Sequence, residues 1–420
     1  MLKTSSFEEK LRAVVAPENL RAAATGDRVS GALAQWVAEP DDEHQAASVL
    51  SLANEAGIAV VPRGGATKLD WGNPPERAEL ILSTARLNRI VEHAWADLTV
   101  TVEAGCTLLA LEKTLALHGQ RLAFDALWPE RATIGGVLST NDSGALRLRF
   151  GALRDLIIGV TIALPEGTLA SSGGKVVKNV AGYDLPKLVT GAFGTLGVIT
   201  RAVFRLHPRP RAAKTFSFTA ETFSAIEQHI LAIQDSHLAH TALQMRCAAG
   251  DLPAADVLFE ATDAGIAAEE SQLRKLLGSA RVEPSSENIW NARQDLWNPP
   301  SNDALLAKIS LLPTDIAKTL DSLKELSNSR KINWQIVVQA TGIGSLRLDA
   351  GAAQLSAAAE ELRSNLQSRG GALIILRRPQ ELHSLDAWGN AGDAVSLMRA
   401  VKHHLDQKNT LNPGRFAGGI

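Results

Sequence analysis

Val60-Val-Pro-Arg-Gly-Gly-Ala-Thr-Lys68 is the stretch on which the reading of this chain turns. An apolar, β-branched run from Ile58 to Val61 predicts a short strand, and it ends on a Gly-Gly pair. Glycines can take φ > 0 and let successive N–H groups converge on an anion. Arg63 and Lys68 add charge, and Thr67 adds a hydroxyl donor. Just upstream, Asp41 to Gly57 predicts a helix with Asp41 or Asp42 as N-cap, Ala46, Val49, Leu50 and Ala53 on one face, and Gly57 closing it. The segment therefore reads as an anion-binding turn at the C-terminal end of a strand, although Arg-Gly-Gly alone is also an ordinary turn.

Two later stretches give it company. Trp128-Pro-Glu-Arg-Ala-Thr-Ile-Gly-Gly-Val-Leu-Ser-Thr-Asn-Asp-Ser-Gly144 carries Thr133, Ile134, Gly135 and Gly136, where backbone could approach a ligand closely. It also offers donors at Ser139, Asn141, Ser143 and Gly144. Gly191-Ala-Phe-Gly-Thr-Leu-Gly-Val-Ile-Thr200 supplies Gly194, Gly197, Val198 and Ile199, a narrow strand edge. The three together, in this order, resemble the FAD-binding domain of the vanillyl-alcohol oxidase and p-cresol methylhydroxylase family over roughly residues 30 to 210. The resemblance returns at Leu411-Asn-Pro-Gly-Arg-Phe416. With Lys175-Val-Val-Lys-Asn-Val-Ala-Gly-Tyr-Asp-Leu185 included, the chain is most similar to FAD-binding subunits of bacterial glycolate oxidases.

That resemblance implies an α+β architecture: a two-subdomain FAD-binding domain over 1–211, an α+β cap domain over 212–394, and a C-terminal segment, 395–420, returning to the first. It implies FAD as cofactor, cradled by residues 62–68 (Pro62 and Ala66 included) and by the Thr133–Gly144 and Gly194–Ile199 positions named above. No His stands at the positions flanking Gly64, Gly135 or Gly194, so the flavin is expected to be bound noncovalently. It further implies oxidation of glycolate to glyoxylate within a complex, with a sister flavin subunit and an iron–sulfur subunit that passes electrons to a quinone. The rival readings are a self-sufficient flavin oxidoreductase acting on another 2-hydroxy acid or alcohol, and a noncatalytic assembly subunit.

Composition sets the bounds. The 420 residues suffice for two domains, and 43 basic against 45 acidic residues give no electrostatic case for nucleic acid. No run approaches the roughly 18–20 apolar residues of a membrane helix, and the N-terminus lacks an apolar secretory core. A cytoplasmic location is expected, with any contact to the inner membrane peripheral and made through the complex. Cys106 and Cys247 are too few to hold an iron–sulfur cluster or a Cys₄ zinc site and read as buried small hydrophobes.

Competing chemistries find no support. The Walker phosphate loop is absent, and Gly191-x-x-Gly-x-x-Gly197 has the wrong first spacing for a nicotinamide fingerprint. The ten His residues are scattered without a His-x-x-x-His pair, so no metal is expected and no residue can be assigned as the catalytic base. Hydride abstraction is therefore expected to fall to a sister subunit. His207 reads as a boundary residue rather than a base, and the His403-His404 pair as partly solvated, with a ligand role as the alternative. Tyr183, the only tyrosine, is either an acid or stacking group near the flavin or a core aromatic. Lys175, Lys178 and Asn179 are candidates for cofactor phosphate, substrate carboxylate or a partner, and Trp290 and Trp297 for core, pocket wall or partner anchor.

Beyond His207-Pro-Arg-Pro210, alternation of β-branched runs with helical periodicity predicts two α+β sets in one antiparallel sheet. The strands are 215–219, 241–247, 257–261, 304–311, 332–340 and 372–376; the helices are 220–234, 264–277, 314–326 and 352–367.

Overall fold

In the computed structural model, which describes residues 2–175, 183–298 and 303–420 (side chains from residue 7 onward), the chain forms two units with separate cores. The first comprises residues 1–142, 152–209 and 390–420, and the second residues 143–151 and 210–389.

The first unit opens with helix α1 (Leu2–Val14), whose Phe7 ring meets Trp36 edge-on at 5.3 Å. Helix α2 (Glu43–Ala56) forms where its periodicity places it. Asp42 accepts hydrogen bonds from the His44 and Gln45 amides at 2.9 Å, and Ala46, Val49, Leu50 and Ala53 are buried along one face. Gly57 ends it at φ 70°, and the Ile58 amide is spent on Ala53 O at 2.9 Å. That bond delays the following strand, which runs Val60–Arg63 rather than starting at Ile58.

Four strands form the first sheet: β1 (Leu20–Ala22), β2 (Trp36–Ala38), β3 (Val60–Arg63) and β4 (Leu80–Ser83), in the order β1-β2-β4-β3. The β2/β4 and β4/β3 pairs are parallel, and β1 runs antiparallel to β2. A second, wholly antiparallel sheet has the order β8-β7-β9-β6-β5. Its strands are β5 (Ile90–Ala94), β6 (Thr99–Glu103), β7 (Ile157–Ala163), β8 (Leu169–Gly173) and β9 (Val198–Arg205). Helices α3 (Leu108–Ala116) and α4 (Ile134–Thr140) follow β6. The chain's last segment comes back to β3: Val60 donates to Thr410 O at 2.7 Å, Asn412 donates to Val60 O at 3.0 Å, and Leu411 bridges Val60 in parallel.

The second unit holds β10 (Ala212–Thr219), α5 (Phe223–Gln234), β11 (His240–Ala248), β12 (Ala254–Ala261), α6 (Asp263–Leu277) and β13 (Glu283–Ser285). These are followed by β14 (Ala304–Ser310), α7 (Ile316–Arg330), β15 (Asn333–Gln339), β16 (Ile343–Asp349), α8 (Ala352–Gln367) and β17 (Ala372–Arg377). All eight strands lie in one antiparallel sheet ordered β13-β10-β12-β11-β15-β16-β14-β17. The order is symmetric about the β11/β15 pair, because each half is the same β-α-β-β-α-β unit. Strand β16 completes the second half and has no counterpart in the sequence reading. Its start, Thr341-Gly-Ile-Gly344, looks like a loop, yet Gly342 sits at φ 81° where a Cβ would meet Leu311 O at 1.9 Å, so it is a tight hairpin corner.

Candidate functional site

The three glycine-bearing stretches converge within the first unit on one open cleft. Pro62, Arg63, Gly64, Gly65, Ala66, Thr67 and Lys68 line one wall, continuing from the end of β3. From α4 and its N-cap come Thr133, Gly135, Gly136 and Ser139. Gly194, Gly197, Val198 and Ile199 line it from the start of β9. The second and third stretches are tied together directly, since Gly191 N donates to Leu138 O and Phe193 N to Ser139 O, both at 2.8 Å.

The glycines of the first loop are required for a reason other than the expected one. Neither Gly64 nor Gly65 has positive φ; Ala66 takes that conformation instead, at φ 58°. A Cβ on Gly64 would lie 2.0 Å from Thr133 Oγ1, and one on Gly65 would lie 1.8 Å from Arg131 O. The pair is thus a close approach of two backbone segments. Gly135 serves the same end where α4 begins, its missing Cβ being 2.9 Å from the Ala104 Cβ of the turn after β6.

The loop's charges are also arranged differently. Lys68 is buried and ion-paired with Asp142 at 3.3 Å, with its ammonium 5.6 Å and 5.4 Å from the Trp71 and Trp128 ring centroids. Arg63 binds Asp27 at 2.6 Å, and Arg21 binds the same carboxylate. These two guanidiniums, Arg21's hydrogen bond first, hold the Asp27 carboxyl well below the usual carboxylate range. Glu39 also acts on Arg21, so the two arginines face two carboxylates and leave no surplus charge beside the loop. Lys68 is likewise neutralised by Asp142.

Anion binding therefore falls to the backbone. Among the described residues, the N–H groups of Gly64, Gly65, Ala66 and Thr67 meet no protein acceptor. Four successive donors fit a pyrophosphate. A Cβ on Gly65 would fall inside the Arg131 main chain, so the cradle admits no other residue there, whereas one on Gly64 would meet the Thr133 side chain.

Four expected site residues stand elsewhere. Ile134 is core, 1% exposed, and Asn141 caps α4 in the left-handed conformation at φ 46°. Ser143 and Gly144 belong to the second unit, where Ser143 O accepts from Arg293 at 2.8 Å and from Gln339 at 3.4 Å. In exchange, the cleft gains Leu69, Thr84, Thr140, Phe193, Asn412 and Arg415. The last two come from Leu411–Phe416, and the Asn-Pro-Gly-Arg string there was the signal available to find them. Arg415 is buried, donates to the Lys68, Leu69 and Trp71 carbonyls, and has its pKa pulled down by burial to about 10, Asp70 opposing.

Outside the cleft, Tyr183 is 89% exposed, so it is not a core aromatic. Lys175 pairs with Glu92 at the surface, whereas Lys178 and Asn179 lie outside the described residues. His207 is half-buried, while His403 and His404 are exposed; Trp297 is buried and Trp290 donates to Thr215 Oγ1 at 2.9 Å. No group of three metal-ligating side chains is present among the described residues, and no helix among them is long and apolar enough to cross a membrane. Burial pushes both thiols, Cys106 and Cys247, up to about 11, so neither is a ready nucleophile at neutral pH. A disulfide-forming thiol reagent at pH 8 is expected to label neither in the folded chain and both after denaturation; rapid labelling of the native protein would contradict the buried placement.

Comparison with known proteins agrees with this geometry. Residues 34–173 match the family described as "FAD binding domain". The glycolate oxidase subunit GlcD of Bacillus subtilis is 32% identical over 235 residues, 54% of this chain and 50% of that protein. The D-2-hydroxyglutarate dehydrogenase of Xanthomonas citri pv. viticola is 28% identical over 418 residues, covering 90% and 88%. The chain thus matches half the length of the first and most of the second. Among solved structures, p-cresol methylhydroxylase with substrate bound superposes with a TM-score of 0.79 at 15% identity, over 98% of this chain and 96% of that one, which establishes the fold. FAD is the cofactor that this domain holds.

Proposed function

We propose that the chain, built on the FAD-binding domain that residues 34–173 form, is an oxidoreductase of small 2-hydroxy acids. The observation that carries this reading is the cleft itself: four backbone donors from Gly64 to Thr67 without an acceptor among the described residues, on a loop whose Gly65 packs against the Arg131 main chain where no side chain fits. The two relatives support the substrate class, since glycolate and D-2-hydroxyglutarate, the compounds in their names, share a carboxylate beside a hydroxyl-bearing carbon. Bound FAD supplies a two-electron acceptor, so that the acid leaves as the 2-keto acid after loss of hydride from carbon and a proton from oxygen. This chain's part is to hold the pyrophosphate on residues 64–67, to brace that loop through the Arg63–Asp27 ion pair, and to wall the cofactor from water with Phe193, Val198 and Ile199.

More finely, we read it as the FAD-binding subunit of a glycolate-oxidising complex that passes electrons to an iron–sulfur subunit and then a quinone, peripheral to the membrane through its partners. Its two cysteines are buried and inert, so a cluster must come from elsewhere. The near full-length match to a D-2-hydroxyglutarate dehydrogenase favours a second reading, a self-sufficient dehydrogenase. Absorption spectra separate them. The purified chain is expected to be yellow and to keep its oxidised spectrum when glycolate is added without partners. Bleaching of the lone protein by glycolate, D-lactate or D-2-hydroxyglutarate would establish the self-sufficient reading, and a colourless protein would overturn both.

A further inference from the structure

One side chain in the cleft has an unmet hydrogen-bonding need that identifies what it meets. Asn412 is 3% exposed, and its amide is oriented by a 2.6 Å bond from Nδ2 to Phe193 O. Its Oδ1 is buried without a donor among the described residues. The residue sits at φ 44° with its own amide bonded to Val60 O at 3.0 Å, so backbone and side chain are both fixed. Gly194 makes room for it: a Cβ there, where φ is 68°, would lie 3.2 Å from Asn412 Nδ2 and 3.2 Å from Pro62 Cγ. A buried carbonyl left without a donor is destabilising, and one that opens on a ligand cleft is satisfied by a donor on the ligand.

Resting on the reading of the cleft as the FAD site, we propose that Asn412 is a cofactor-positioning residue whose Oδ1 accepts a hydrogen bond from an N–H on the edge of one of FAD's ring systems. Two ring systems of the cofactor carry that chemistry, the isoalloxazine at N3–H and the adenine at its exocyclic amino group. Neither sits on the phosphates that residues 64–67 hold, so Asn412 adds selection for a ring edge to selection for charge. The contact also explains why a segment some 350 residues downstream has to return beside Val60.

The test uses the full chain stripped of flavin and titrated with FAD, with N3-methyl-FAD, and with FAD whose adenine is replaced by hypoxanthine. Wild type is expected to bind one of the two analogues about tenfold more weakly than FAD, the usual scale of one lost hydrogen bond, and that analogue names the ring. Asn412→Ala is expected to bind FAD about tenfold more weakly than wild type does and to lose the discrimination between FAD and that analogue. Asn412→Gly, which accepts the positive φ, serves if the alanine variant does not fold. Equal binding of all three cofactors by wild type, or discrimination that persists in the variant, would overturn the assignment. Failure of wild type to bind FAD at all would instead overturn the reading of the cleft.

Discussion

Lys402→Met is expected to unfold the C-terminal end of the first unit and to cost about 3–5 kcal/mol, the scale for removing one partner of a buried ion pair. Lys402 Nζ bonds Asp406 Oδ2 at 2.6 Å, Thr195 O at 2.9 Å and Leu411 O at 2.8 Å, with both charged side chains under a tenth exposed. Asp406 in turn accepts from the Thr410 and Leu411 amides at 3.0 and 2.8 Å. One lysine therefore fastens the third glycine stretch to the returning segment. Burial lowers its pKa, with Asp406 opposing, so the charge is held there at a desolvation cost that the pair offsets. Methionine keeps the stem's volume but leaves the Asp406 carboxylate buried without its cation and two carbonyls without a donor. The check is thermal unfolding of the FAD-loaded chain together with flavin content after gel filtration. A variant that melts within about 2 °C of wild type and keeps its FAD would show that the pair holds nothing together, since 1 kcal/mol shifts the midpoint of a unit this size by about 2–4 °C.

Gly65→Ala is expected to abolish flavin retention, although alanine is the smallest possible addition. Its Cβ would lie 1.8 Å from Arg131 O and 2.8 Å from Arg131 C, main-chain atoms that no rotamer change can clear. Either the loop or the segment leading into α4 must move, and each carries part of the cleft. Overpacking of this kind costs about 1–3 kcal/mol or more, and here the displacement falls on the phosphate donors themselves. Gly64→Ala makes a useful contrast, because its 2.0 Å clash is with Thr133 Oγ1, a side-chain atom. The double variant Gly64→Ala/Thr133→Ala is expected to recover part of the FAD content that Gly64→Ala loses, whereas no side-chain truncation should rescue Gly65→Ala. Full FAD occupancy in Gly65→Ala, measured by flavin absorbance per chain, would remove the loop from the site.

How much of this could be read in advance depended on whether the cause was local. Helix α2, the strand after it and the α+β alternation of the second unit are written in capping residues and in periods of 3.6 and 2, which act within a few residues. The sequence by itself thus determined that Gly64-Gly65 ends a strand and that the FAD-binding stretches occur in that order. Only tertiary structure decided what the glycines are for: backbone from residues 131–133 packs against the loop, a contact no local pattern encodes. The same holds for charge, since Arg63 and Lys68 look like phosphate ligands until Asp27 and Asp142, distant in sequence, occupy them. Ser143 and Gly144 continue the second stretch in sequence, yet the chain passes into the other unit at Ser143. Asn412 and Arg415 reach the cleft because the Lys402–Asp406 pair and the Val60–Leu411 bridge bring the last segment back to a strand laid down at the start, and long-range contacts of that kind are fixed by packing rather than by spacing.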